Sequence, residues 1–199
     1  MLAKYRPTFL LLLALLFALT LPGCTFAQQT AEDFYDRGIA KHTKGDLDGA
    51  IADFSKAIEL NPKYAEAYDN RGFAKLTKGD LDGVIADFSK AIELNPRDAI
   101  AYAYRGLAKG QKGDLDGAIA DYSKAVELKP TDAIAYCNRG IAKEKKGDLD
   151  GAIADYSKAI ELHPKYAAAY LHRSVAKKKK GDQVGADADY VEAAKLQSH

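Results

Sequence analysis

Residues 65–98 read AEAYDNRGFAKLTKGDLDGVIADFSKAIELNPRD, and this block of 34 residues recurs with small changes from residue 31 to residue 199. Its Lys-Gly-Asp triplet returns at the same interval, with the glycines at Gly45, Gly79, Gly113, Gly147 and Gly181. A fixed period of this length is typical of a solenoid, in which each unit buries its apolar face against the next. The sequence therefore predicts five stacked units, over residues 31–64, 65–98, 99–132, 133–166 and 167–199.

Each block predicts two antiparallel helices. Residues 65–78 are good helix formers, and Gly79 fits the left-handed conformation that closes a helix. Asp80 is placed to cap a second helix, whose apolar residues recur every three to four positions until Asn95 and Pro96 end it. Five blocks give ten helices, so the predicted fold class is all-α.

Six residues of this block resemble the signature of the tetratricopeptide repeat (TPR) family, at positions 4, 8, 20, 24, 27 and 32: Tyr68, Gly72, Val84, Phe88, Ala91 and Pro96. Similar sets recur in the other blocks, so the segment from Ala31 to His199 is identified as a member of that family. The resemblance implies a right-handed α-solenoid of five helix-turn-helix TPR units. It also implies a concave groove lined mainly by the first helices, and a non-enzymatic scaffold that binds a protein or peptide there.

The groove positions are predicted from where the blocks differ. Among blocks 2, 3 and 4 the first-helix changes fall at positions 2, 5, 6, 9, 12 and 13, which gather on one side of a helix. A row of apolar residues at position 9 is flanked by mixed residues at positions 5 and 6. We therefore predict that the partner contacts Tyr35, Ile39, Asp69, Asn70, Phe73, Tyr104, Leu107, Cys137, Asn138, Ile141 and His172.

Two charged rows depart from the usual repeat. Position 7 is always arginine and position 11 always lysine, while position 23 of the second helix is always aspartate: Arg37, Arg71, Arg105, Arg139 and Arg173; Lys41, Lys75, Lys109, Lys143 and Lys177; Asp53, Asp87, Asp121, Asp155 and Asp189. The arginine and the lysine share a helix face. They form either a ladder of ion pairs with the aspartates or a basic strip for an anionic ligand, and the aspartates favour the ladder.

The last block differs from the others at its outer positions. Residues 183 and 187 are Gln183 and Asp187, where blocks 1 to 4 have leucine and isoleucine. A terminal unit needs a polar outer face because no neighbour covers it. We therefore expect block 5 to cap the stack.

The amino terminus resembles an export signal. Lys4 and Arg6 precede an apolar run over residues 9–21, which is too short to span a bilayer. Cleavage before Gln28, removing residues 1–27, would release a soluble periplasmic protein. Leu21-Pro22-Gly23-Cys24 instead resembles a lipobox, and acylation of Cys24 would give an outer-membrane lipoprotein of the kind that assists pilus assembly or recruits cell-wall enzymes. A retained membrane anchor is the third alternative.

Composition and motifs exclude other functions. The formal net charge of +1 gives no electrostatic footprint for nucleic acid, and contact with a membrane is expected only if Cys24 is lipidated. The four histidines fall at unrelated positions, and no pattern of a hydrolase or metal site occurs. We expect no catalytic residue, no metal and no cofactor.

Overall fold

The computed structural model describes residues 29–197, which form ten helices and contain no strand. The helices are α1 (Ala31–Thr43), α2 (Leu47–Leu60), α3 (Ala65–Lys78), α4 (Leu81–Leu94), α5 (Ala99–Gln111), α6 (Leu115–Leu128), α7 (Ala133–Lys145), α8 (Leu149–Leu162), α9 (Ala167–Lys179) and α10 (Gln183–Gln197). All ten lie in one compact unit that begins at Ala31. The predicted signal segment and Cys24 lie outside the described residues.

The turn inside each repeat is fixed by its Gly-Asp pair. Gly79 has a φ of +79°, the left-handed conformation that glycine adopts without strain, and Asp80 accepts a hydrogen bond from the backbone N–H of Gly83 at 3.0 Å. A Cβ atom on Gly83 would lie 2.2 Å from the Asp80 carboxylate, so a larger residue there would require this carboxylate to shift. The Asp-Leu-Asp-Gly sequence at residues 80–83 therefore caps the start of α4.

Every helix packs against the helices before and after it in the chain. A buried aromatic ring occupies the centre of each of the first four pairs, at Phe54, Phe88, Tyr122 and Tyr156. It lies against the glycine of the first helix, where an added Cβ on Gly140 would come within 2.6 Å of the Tyr156 ring. First helices of successive units, such as α5 and α7, also contact each other directly. The all-α fold of five stacked helix pairs is confirmed.

The last pair differs from the four before it. Ser174 replaces the central glycine, and its hydroxyl donates a hydrogen bond to the Ala186 carbonyl at 2.7 Å. Gln183 and Asp187 are exposed and bonded to each other, as a polar end face requires. Tyr190, however, is 62% exposed although its counterparts in the other units are buried. With Val184 and Val191 also exposed, the outer face of α10 is only partly polar.

Candidate functional site: a cleft between first helices

The arginine, lysine and aspartate rows form a ladder of closed ion pairs. In the third unit Arg105 donates two hydrogen bonds to Asp121, at 2.9 and 2.7 Å, and Lys109 lies 2.7 Å from the same carboxylate. Arg105 also donates to Ser89 of the preceding unit, and its guanidinium lies 5.5 Å from the centre of the Tyr102 ring. The aspartates are buried, at 2–5% exposure. The carboxylate of each unit engages both cations, so the rows form the predicted ladder of ion pairs, although one positive charge per unit is left in excess.

The predicted groove positions surround an open cleft in the middle of the stack. The cleft has a volume of about 460 Å³ and is lined from α3, α5 and α7 by Phe73, Ile100, Ala103, Tyr104, Leu107, Asp132, Ile134, Ala135 and Asn138. Ile100 and Ile134 are 54% and 62% exposed, and they line the same cleft from neighbouring first helices. The cleft therefore offers water-exposed apolar surface with a few polar groups, as binding sites commonly do.

A second, smaller cleft continues the first towards the carboxyl ends of α5 and α7. Its volume is about 130 Å³, and it shares Leu107 and Asn138 with the larger cleft. Ile141 and Lys145 extend it along α7. The structure thus brings five predicted residues, Phe73, Tyr104, Leu107, Asn138 and Ile141, onto one continuous surface.

An aromatic cluster holds one wall of the larger cleft rigid. The Phe73 ring meets the rings of Phe88 and Tyr104 edge to face, with centroids 5.2 and 4.6 Å apart. Phe88 is fully buried, whereas Phe73 and Tyr104 are partly exposed. Such contacts fix both rings before any partner arrives, which lowers the entropic cost of binding.

At the amino-terminal end of the groove, tyrosines and polar groups cluster. Tyr35 stacks against Tyr64 with centroids 4.8 Å apart, and its hydroxyl accepts a hydrogen bond from Asn70 at 3.0 Å. The Oδ1 atom of Asp69 is buried without a hydrogen-bond donor. Burial, together with the nearby carboxylates of Asp98 and Glu66, raises the pKa of Asp69 to about 7. Ile39 is half-buried on the same helix as Tyr35.

At the opposite end, two of the predicted contact residues are less available. Cys137 is only 1% exposed and packs in the core with Tyr156 and Ala152, so the structure places it beneath the groove surface. Burial raises the pKa of its thiol to about 11, although Tyr166 opposes the shift, so the thiol is protonated at neutral pH. His172 is half-buried and stacks on Tyr156 with centroids 5.6 Å apart; this burial lowers its pKa.

In blocks 1 and 4 a tyrosine at position 34 packs against the residue at position 5. Tyr64 lies over Tyr35, and Tyr166 lies against Cys137. In the middle blocks position 34 is aspartate instead, and Asp132 leaves Ala103 open to the larger cleft. Neither this effect nor a contact role for Ile100 and Ile134 was predicted from the sequence, although both isoleucines occupy the variable position 2.

The described residues carry no arrangement with an evident chemistry. Within residues 29–197 no three His, Cys, Asp or Glu side chains are grouped to hold a metal ion. No helix in that range combines the length and the apolar character needed to cross a membrane.

Comparisons with known proteins identify the family of the chain. The profile described as TPR repeat matches residues 38–79 and 110–147, and two profiles described as Tetratricopeptide repeat match residues 133–166 and 65–98, which coincide with blocks 4 and 2. Together the matches extend over more than half of the sequence. The chain belongs to the tetratricopeptide repeat family.

Solved structures with the same fold include MamA and YrrB. A MamA crystal structure is 28% identical, with a TM-score of 0.80 over 84% of this chain and 92% of that one. MamA from Desulfovibrio magneticus RS-1 is 20% identical, with a TM-score of 0.80 over 84% and 95% of the two chains. YrrB, described as a TPR protein with an unusual peptide-binding site, is 22% identical, with a TM-score of 0.77 over 86% and 89%. None of the curated protein sequences matches this chain.

Proposed function

We propose that this protein is a non-enzymatic scaffold that binds a peptide segment of another protein in the cleft between α3, α5 and α7. The observation that carries the proposal is the exposure of Ile100 and Ile134 beside the rigid pair Phe73 and Tyr104. Exposed apolar surface of this kind is costly in water unless a partner covers it. The likeness to YrrB supports the fold, and the peptide-binding site described for that protein supports the class of partner.

Peptide selection tests this proposal directly. Peptides selected from a random library on the immobilised protein should lose at least tenfold in affinity when Ile100 and Ile134 are both changed to glutamine. Both side chains are exposed, so the double variant should keep its helical content and its unfolding midpoint. Lys90→Ala, on the outer face of α4, is the matched control and should bind normally. If the selected peptides keep their affinity for the double variant but lose it for Lys90→Ala, the proposal is wrong.

We also propose that the protein works in the bacterial cell envelope. Support comes from the sequence alone, in the basic tip and the apolar run over residues 9–21. The mature protein should begin at Gln28 and be released by osmotic shock, and Cys24→Ser should change neither result. A mature mass that includes a lipid on Cys24, with retention in the membrane fraction, would instead establish the lipoprotein alternative.

A further inference from the structure

The charges around the groove indicate what kind of peptide it binds. We infer that the occupant is a short bipolar segment, with a lysine or arginine at the end over α1 and α3, apolar residues in the central cleft, and an acidic residue at the end over α7 and α9. This inference rests on the proposed function, because it assumes that the groove binds a peptide. It adds the chemistry and the orientation of the ligand.

The acidic end is distinctive because its carboxylates are not neutralised. Glu32, Asp36, Glu66 and Asp69 have no ion pair and cap no helix within the part of the chain that the structure describes. In blocks 3 and 4, by contrast, every aspartate and glutamate pairs with a lysine or an arginine or caps a helix. Glu32, Asp36 and Glu66 therefore bring three unpaired carboxylates to one end of the groove, where a cation of the partner would neutralise them, and Asp69 lies beside them with a pKa raised to about 7.

These carboxylates surround the stacked rings of Tyr35 and Tyr64. Partial burial, followed by the charges of Glu66, Asp36 and Asp69, raises the pKa of Tyr35. The pKa of Tyr64 is raised as well, first by burial and then by the charges of Tyr35, Glu66, Glu32 and Asp36. Aromatic faces beside carboxylates attract a cationic side chain through both its charge and its methylene stem.

The acidic end runs directly into the apolar cleft. Asp69 and Asn70 lie one helical turn before Phe73 on α3, and Asp98 begins α5 just before Ile100. A peptide that places its cation at Tyr35 therefore reaches Phe73 and Ile100 next. Large apolar residues of the peptide would cover Ile100 and Ile134, while Asn138 is available to hydrogen-bond its backbone.

The far end of the groove is basic. Lys145 lines the smaller cleft, and Lys178 lies in the last turn of α9; neither has a carboxylate partner among residues 29–197. Lys179 beside them pairs with Glu144 at 2.7 Å. Packed helices lie about 8–10 Å apart. The groove passes three such spacings between its acidic end at α1 and α3 and its basic end at α7 and α9, a distance that about eight extended residues cover. The bipolar segment thus has a defined length as well as a defined charge order.

Four synthetic peptides test the inference by fluorescence anisotropy. The bipolar probe is Lys-Lys-Ser-Leu-Phe-Ser-Glu-Glu, and the others replace its two ends by lysine at both, by glutamate at both, or by glutamine at both. The bipolar peptide should bind about tenfold more tightly than the glutamine peptide, and high salt should reduce this advantage. The peptide with glutamate at both ends should bind most weakly, because the unpaired carboxylates repel it.

Charge variants of the protein separate this inference from the proposed function. The double variant Glu32→Gln, Glu66→Gln should bind the bipolar peptide about tenfold more weakly and leave the glutamine peptide unchanged. The matched control, Glu59→Gln with Glu93→Gln, removes the same charge from the second helices and should have no effect. Equal binding of the bipolar and glutamine peptides, both still sensitive to Ile100→Gln, would overturn the charge order alone. Binding that ignores Ile100→Gln would overturn the proposed function itself.

Discussion

The buried ion pairs predict a stability difference between two chemically identical sites. Asp121 in the third unit and Asp53 in the first unit each accept two hydrogen bonds from an arginine and one contact from a lysine. The sites differ in exposure, because the side chain of Arg105 is 17% exposed and that of Arg37 is 43% exposed. Replacing either aspartate with asparagine preserves the shape and removes the charge.

The expected cost follows from what the substitution leaves behind. In the third unit, Asp121→Asn leaves Arg105 and Lys109 largely out of water without a counter-charge. Removing one partner of a fully buried pair costs about 3–5 kcal/mol, and the partial exposure of these cations lowers the expected loss to about 2–3 kcal/mol. In the first unit Arg37 can regain water, so Asp53→Asn should cost clearly less.

Urea unfolding followed by circular dichroism measures the difference. With a slope of about 2 kcal/mol per molar urea, Asp121→Asn should lower the midpoint by about 1 M. The slope itself should stay constant if the substitution changes only the folded state. Equal losses at the two sites, or a loss confined to Asp53→Asn, would refute the view that burial sets the strength of these pairs.

Two further predictions concern packing and pH. Gly140→Ala should destabilise the protein by about 1–3 kcal/mol in the same assay, because its Cβ would meet the Tyr156 ring at 2.6 Å. Gly106→Ala, whose Cβ would lie 3.3 Å from the Ala118 carbonyl oxygen and the Asp121 Cβ, should cost less than Gly140→Ala; the reverse order would contradict the assigned packing. Asp69 has a pKa raised to about 7, so the wild type should lose stability as pH rises from about 4 to above 7. Asp69→Asn should therefore be more stable than the wild type by about 1–3 kcal/mol at pH 8 and by much less at pH 5. A stability difference that does not change with pH would show that Asp69 ionises freely.

Local rules explain why the helices could be predicted from the sequence. Gly79 and Asp80 specify a helix end and a helix start through backbone conformation and one hydrogen bond, and both are visible within a few residues. The pairing of Arg105 with Asp121 was also predictable, because complementary residues recur at a constant separation of sixteen positions. These features depend on neighbours that are fixed by the repeat itself.

The surface of the groove was harder to predict because it depends on which neighbour covers each residue. Cys137 and Ala103 occupy the same position in their blocks, yet Tyr166 lies against the first while Asp132 leaves the second open to the cleft. Similarly, Gly106 and Gly140 occupy the same position in their blocks, yet an added Cβ would come within 3.3 Å of its neighbours at Gly106 and within 2.6 Å at Gly140. Periodicity gives the side of a helix, whereas depth depends on the shape of a side chain more than twenty residues away.

The most direct test of peptide binding in the groove is a methyl and amide NMR titration of the protein with the bipolar peptide. If the peptide binds in the groove, the largest chemical-shift changes occur at the methyl groups of Ile100 and Ile134 and at the side-chain amide of Asn138. All three residues line the larger cleft. Signals from the outer helices, such as those near Lys90, should stay in place. Changes confined to the outer helices or to the exposed face of α10 around Tyr190 and Val191 would contradict it.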